Sequence, residues 1–127
     1  MENCVFCKII DREIPSFIID EDDTLIVFVS RENHPLIVPK KHIPNIFELD
    51  DETAAAIMKK AIKIATATKA ALESDGIYIT QTNGEAAGQD VFHYHMHIYP
   101  KWSDQRTLER DDKSRQDLAE KIKEKLL

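Results

Sequence analysis

The sequence predicts one α+β domain, in which an antiparallel five-stranded sheet packs against a long helix and a C-terminal helix. Three observations carry this expectation. Five short runs rich in β-branched and aromatic residues, 17–20, 24–29, 34–39, 77–82 and 92–100, read as strands. The first three follow one another with short connections, which favours an antiparallel meander. The run from about 50 to 72 instead repeats apolar residues at helical spacing. With 127 residues, 43% hydrophobic and 31% charged, the chain has apolar material for one core, expected over about 4–102 with a helical tail at 103–127.

Taken in order, residues 4–10 form a short helical or irregular opening that Pro15 interrupts. A strand at 17–20 leads through the acidic turn Glu21-Asp22-Asp23 into the buried strand 24–29. Ser30-Arg31-Glu32-Asn33 connects to the strand 34–39, which carries Pro35 and Pro39 near its ends, and Lys40-Lys41-His42 opens a loop. Asp50 or Asp51 caps the long helix, where the acidic first turn complements the helix dipole. Ile57, Ala61, Ile64, Ala65, Thr68 and Leu72 form its apolar face, and Gly76 is the expected stop. A strand at 77–82 follows, then a loop at 83–90 that holds two of the three glycines. Residues 114–127 form the last helix, with Ser114 as cap and Leu118, Ile122 and Leu126 on one stripe. That stripe fits its own sheet or a second subunit equally well. Trp102 is expected to pack, and Lys40 and Lys41 to be solvated.

Composition removes several function classes. The net charge is −6, and no Lys/Arg block suggests a nucleic-acid groove. No apolar run reaches membrane-span length, and Met1-Glu2-Asn3-Cys4 lacks a signal-peptide pattern, so cytoplasmic residence is expected. In that compartment the spacing Cys4-x-x-Cys7 points to metal or redox chemistry before a structural disulfide. As half of a zinc site it needs two further ligands. No βαβ pattern follows it, which argues against thioredoxin-like use.

The chemistry concentrates in Phe92-His93-Tyr94-His95-Met96-His97-Ile98-Tyr99-Pro100. Side chains alternate across an extended strand, so His93, His95 and His97 share one face, and Phe92, Tyr94, Met96 and Ile98 share the core face. Each imidazole must be hydrogen-bonded, metal-bound or wet, which is poor material for a core. One reading makes an imidazole the nucleophile, since a neutral histidine attacks well near neutral pH. The loop at Gly88-Gln89 then offers N–H groups and an amide to a phosphate oxyanion. A second reading makes the histidines ligands of a zinc ion. A third leaves them incidental on a polar sheet edge.

His93-Tyr94-His95-Met96-His97-Ile98 resembles the H-φ-H-φ-H-φ-φ signature of the histidine-triad nucleotide hydrolases and transferases, the HIT superfamily. Leu36-Ile37-Val38-Pro39-Lys40-Lys41-His42 resembles the family's L-V-x-P-K-x-H segment. Phe6-Cys7-Lys8-Ile9-Ile10 resembles its opening, and Asn83-Gly84 through Gly88-Gln89 its phosphate-side loop. Together these run in order from about Cys4 to Pro100. The resemblance implies a HIT-like fold whose sheet continues across a homodimer. It also implies that His95 attacks the α-phosphorus of a nucleotide and carries a nucleotidyl-histidine intermediate. By the same resemblance His97 contacts the phosphate, His34 lies beside the triad, and Asn83, Gly88 and Gln89 face the phosphate and leaving group. Related uridylyltransferases resemble this chain in a further respect, which implies a structural zinc held by Cys4, Cys7, His42 and His93.

Two departures separate activity from substrate identity. Family members that bind adenosine often carry an aspartate for the ribose where this chain has Ser30, with a shorter connection to His34. Asp90 stands where several branches have a serine or threonine that donates to the phosphate, and an ionised carboxylate there repels it unless turned away or used to orient a neighbour. The expected activity is hydrolysis or transfer at the α-phosphate of a nucleoside monophosphate ester, amidate or anhydride. The alternatives are a nucleotide- or partner-binding protein with little turnover, and a metallohydrolase that uses the triad as ligands.

Overall fold

The computed structural model describes residues 3–126. Its elements are α1 (Val5–Ile10), β1 (Ile18–Glu21), β2 (Leu25–Val29), β3 (Pro35–Pro39), α2 (Asp51–Leu72), β4 (Gly76–Thr80), β5 (Met96–Lys101) and α3 (Asp112–Leu126). The five strands form one sheet in the order β1-β2-β3-β5-β4, every neighbouring pair antiparallel. The α+β class and the five-stranded antiparallel sheet are as the sequence predicts. Among the described residues no helix is long and apolar enough to cross a membrane.

Strands β2 and β3 are buried along their whole length, so both faces of the sheet are covered. Leu25, Val27, Val29, Ile37, Met96 and Ile98 point to one face and pack with Ile57, Ala61 and Ile64 of α2 and Leu118 and Ile122 of α3. Ile26, Phe28, Leu36 and Val38 point to the other, where Phe6 and Ile9 of α1 cover them. The period-two alternation of β2 and β3 thus feeds two separate cores. Strand β5 enters between β3 and β4, and its His97 lies opposite both Leu36 and Thr80. The strand β5 is therefore interior to the sheet, and His97, opposite Leu36, shares the face that α1 covers.

The helices differ from expectation at their ends. Asp50 caps α2 by accepting from the Thr53 N–H. The helix ends at Glu73, which takes the left-handed conformation (φ 50°), so Gly76 is the first residue of β4 and not the stop. Ile57, Ala61, Ile64 and Thr68 are buried as predicted. Asp111, and not Ser114, caps α3, because its carboxylate accepts the Ser114 N–H at 2.7 Å. Leu118 and Ile122 are buried and Leu126 half-buried against the same chain's core, while Leu127 lies outside the described residues. The stripe on α3 is thereby used within its own subunit. Trp102 is buried, and its indole N–H donates to the Leu72 carbonyl.

The histidine stretch is a strand only from Met96 onward; residues 92–95 are irregular. Tyr94 donates its N–H to the Ile43 carbonyl (2.7 Å), outside β3, so the ladder does not extend back to 92. Tyr94, Met96 and Ile98 reach the core, but Phe92 is 48% exposed and does not.

Candidate active site

His95 is 5% exposed, and its Nδ1 lies 2.7 Å from the backbone carbonyl of His93. A carbonyl only accepts, so this ring carries its neutral-state proton on Nδ1 and leaves the Nε2 lone pair unprotonated. The edge of Phe6 packs against the ring (4.9 Å between centroids) and helps fix its orientation. His95 lines a cleft of about 570 Å³. One wall of that cleft is apolar, built from Phe6, Ile9, Phe28 and Leu36. The other carries His97, Ser30 and Asp90. A flat apolar body with a charged group at one end fits such a space.

His97 and His34 form a pair beneath the cleft, with His34 Nε2 and His97 Nδ1 2.8 Å apart. On the far side of His34, Nδ1 lies 3.0 Å from the Ser30 hydroxyl. The Tyr99 ring stacks over both imidazoles. Burial pushes the His34 pKa down to about 3, and the nearby His97 adds to the shift. Burial likewise lowers the pKa of His97, helped by His95. Both rings are therefore neutral near pH 7.

The depressed His34 pKa makes stability pH-dependent. In the unfolded chain this histidine takes a proton near pH 6.5, and in the folded chain only near pH 3. Its stabilising contribution is full above pH 6.5 and is lost as pH falls toward 3, on the order of 4 kcal/mol across the window. Urea denaturation of wild type and His34→Gln between pH 7 and 4 checks this. The variant is expected to lose less stability on acidification, and equal slopes would remove His34 as a source.

The loop before the strand is braced internally. Gln89 is buried, donates to the Pro44 and Val91 carbonyls (2.6 and 3.1 Å), and accepts the Gly84 N–H (2.7 Å). Asn83 accepts from the Ile46 N–H and from the Gln81 amide, and donates back to Gln81. Gly84 and Gly88 take positive φ (93° and 95°), which a glycine adopts without strain. Asn83, Gly88 and Gln89 lie outside the lining of the cleft that His95 and His97 share, and both amides bond within and beside the loop. Asp90 does line it, with its Oδ1 3.9 Å from His95 Nε2. Lys40 pairs with Glu21 at 2.8 Å and is not part of the cleft.

A second cluster lies behind the triad. Cys4 Sγ is 3.4 Å from His93 Nδ1, and Cys7 Sγ is 3.3 Å from His42 Nδ1 and 3.6 Å from His93 Nδ1. The four donor atoms all lie within 4.8 Å of one another, and both thiols are free. His93 gives its Nε2 proton to the Pro39 carbonyl at 2.7 Å, which leaves Nδ1 bare and aimed at the sulfurs. With bonds of roughly 2.0 Å to nitrogen and 2.3 Å to sulfur, neighbouring ligands of a tetrahedral zinc lie roughly 3.3–3.8 Å apart. The three sulfur-to-nitrogen separations given above match that tetrahedron, so the residues can hold a metal ion. Without a cation, burial and the neighbouring Cys4 push the Cys7 thiol up to about 11.

Sequence reasoning did not pick out the apolar cleft wall or Arg115, which reaches the rim from α3. Phe28 and Leu36 carried a signal, since strand alternation puts them on the histidine face. Arg115 carried none, because only the docking of α3 brings it there.

A small α+β protein in which alternate histidines at the start of β5 serve two sites, His95 and His97 on a cleft and His93 in a thiol–imidazole cluster, is the class that this fold and site define. The chain matches the HIT domain over residues 11–104. It belongs to that family. It is 44% identical over 105 residues to Protein hit from Bacillus subtilis, covering 80% of this chain and 72% of that one. It is 36% identical over 115 residues to adenosine 5'-monophosphoramidase HNT1 from Saccharomyces cerevisiae, covering 87% and 65%. Among solved structures, a zinc-bound histidine triad family protein from Mycobacterium smegmatis superposes with a TM-score of 0.89 at 29% identity, over 98% of this chain and 94% of that one.

Proposed function

We propose that this chain is a nucleotidyl hydrolase or transferase acting at the α-phosphate of a nucleoside monophosphate ester, amidate or anhydride, with His95 as nucleophile. The single observation that carries this reading is the Nδ1–H of His95 held by the His93 carbonyl, with Nε2 left bare and His95 lining the cleft. In the first step Nε2 bonds to the α-phosphorus, the bond from phosphorus to the leaving group breaks, and the leaving group departs with the electron pair. Water or another acceptor then displaces His95 from phosphorus and restores the imidazole. His97 contacts the phosphate oxygens, and His34 holds His97. The apolar wall of Phe6, Ile9, Phe28 and Leu36 suits a nucleobase. The yeast phosphoramidase supports a substrate of this kind by similarity.

Cys4, Cys7, His42 and His93 would hold a zinc ion with no open coordination position, and its contribution would be structural. It would tie the N-terminus to the catalytic segment and fix the backbone that orients His95. Two free thiols in this arrangement suit the reducing cytoplasm.

A homodimer belongs to the same proposal. Strand β4 is the sheet edge, and its Tyr78 and Ile79 are 55% and 45% exposed, near an α2 face that exposes Met58 and Ile62. Sedimentation equilibrium is expected to give twice the chain mass, and Ile79→Lys to give the monomer. A monomeric wild type would remove this part alone.

Asp90 favours a second reading, a nucleotide-binding protein with little turnover, because its carboxylate 3.9 Å from His95 Nε2 opposes an incoming phosphate. Turnover of adenosine 5′-phosphoramidate by wild type and His95→Ala, each with and without chelator, separates the two. Multiple turnover that depends on His95 supports the enzyme; tight binding with none supports the binder.

A further inference from the structure

We propose that Ser30 is a positioning residue which, acting through His34, fixes the ring of His97 as an Nε2–H donor toward the cleft. The inference deepens the catalytic reading and rests on it only for its kinetic consequence. It assigns Ser30 a role different from the contact with substrate that its sequence position suggests.

Ser30 is 8% exposed, and its hydroxyl oxygen accepts the His34 backbone N–H at 3.3 Å. The same oxygen lies 3.0 Å from His34 Nδ1. The turn that sets this geometry is itself closed by backbone bonds, Ser30 N–H to the His34 carbonyl and Asn33 N–H to the Ser30 carbonyl (2.8 and 3.0 Å). Among the described residues, His34 Nδ1 is the acceptor that the structure gives the Ser30 hydroxyl proton. If the hydroxyl donates to Nδ1, both the Ser30 O–H and the His34 Nδ1 are satisfied. If Nδ1–H donates to the hydroxyl instead, a nearly buried O–H is left without a protein partner.

The rest of the chain of bonds follows from that choice. His34 is 1% exposed and neutral near pH 7, so it carries one ring proton. With Nδ1 accepting from Ser30, that proton is on Nε2 and is donated to His97 Nδ1 across 2.8 Å. His97, neutral as well, then carries its own proton on Nε2. The opposite direction gives His97 an Nε2 lone pair, which repels a phosphate oxygen. The short connection from Ser30 to His34 is what brings the hydroxyl back onto the ring, and a longer one would not fix this distance. With its oxygen engaged twice by His34, Ser30 has little left for a ribose hydroxyl.

The test uses the full-length protein labelled with ¹⁵N-histidine, without substrate, and reads the tautomer of each ring from its nitrogen shifts near pH 7.5. Wild type is expected to show His34 and His97 both protonated on Nε2. In Ser30→Ala the two rings are expected to lose that preference, and kcat for adenosine 5′-phosphoramidate to fall about tenfold with KM changed less. Ser30→Thr, which keeps the hydroxyl, is expected to restore both. A wild-type His97 protonated on Nδ1 overturns the proposal without any variant, as does a Ser30→Ala protein with unchanged tautomers. Tautomers that respond as expected in a protein with no turnover would uphold the proton chain and remove the catalytic reading instead.

Discussion

His95→Ala is expected to lower kcat/KM for a nucleoside phosphoramidate by about 10⁴-fold or more, the scale on which removing an essential nucleophile acts in other enzymes. Losing the imidazole removes the only group that the account allows to bond to phosphorus. His97 cannot replace it, because with its Nδ1 accepting from His34 its own proton sits on Nε2 and no lone pair faces the phosphorus. The variant should still fold. Its cost is a small cavity beside Phe6 and an unpaired His93 carbonyl, about 1–3 kcal/mol. Circular dichroism and nucleotide binding therefore remain close to wild type while turnover disappears. Comparable activity in His95→Ala would mean that the attacking group is water or another side chain.

Removing zinc from the proposed site, or replacing one of the residues that would hold it, is expected to produce the largest loss of stability. Cys4→Ser or prolonged treatment with a strong chelator should lower the melting temperature by about 10 °C, corresponding to about 3 kcal/mol for a domain of this size. The physical reason is that four donors converge on one point, two of them buried and two half-buried, where a cation is the partner that satisfies all of them together. Cys4 is buried and also caps α1 by accepting the Cys7 N–H. His93 is fully buried and held by Pro39. Without a cation, the neutral thiols and imidazoles satisfy one another poorly. Activity should fall less steeply than stability at low temperature, since His95 and His97 are not ligands. Metal analysis that finds no zinc in chelator-free protein would remove this prediction. A melting temperature that chelator leaves unchanged would limit the cluster to thiol and imidazole packing.

Much of the fold was legible because the relevant signals are local. The β-branched and aromatic runs of β2 and β3, the 3.6-residue period of α2 and the Asp50 cap depend on neighbouring residues alone. The helix stop was misread because Glu73 takes the left-handed conformation three residues ahead of Gly76, and no rule of composition announces a glutamate there. Phe92 was misread for a tertiary reason: Tyr94 bonds to Ile43 and takes residues 92–95 off the sheet. The site shows the same division. The triad and the C-x-x-C pair stand out in sequence, and the fold does bring Cys4, Cys7, His42 and His93 together. What Asn83 and Gln89 do was not legible, because an amide that closes a loop and one that faces a phosphate look alike in sequence. The bond between Ser30 and His34 was hidden in the same way, since it depends on the path of one tight turn.

The covalent bond between His95 Nε2 and the α-phosphorus can be trapped. Enzyme mixed with adenosine 5′-phosphoramidate is quenched without acid within the first turnover, digested and analysed by mass spectrometry. One adenylylated peptide is expected, with the modification on His95, absent from His95→Ala and disappearing as product forms. Steady turnover with no modified peptide at any time, or with the nucleotide on a different residue, would contradict it.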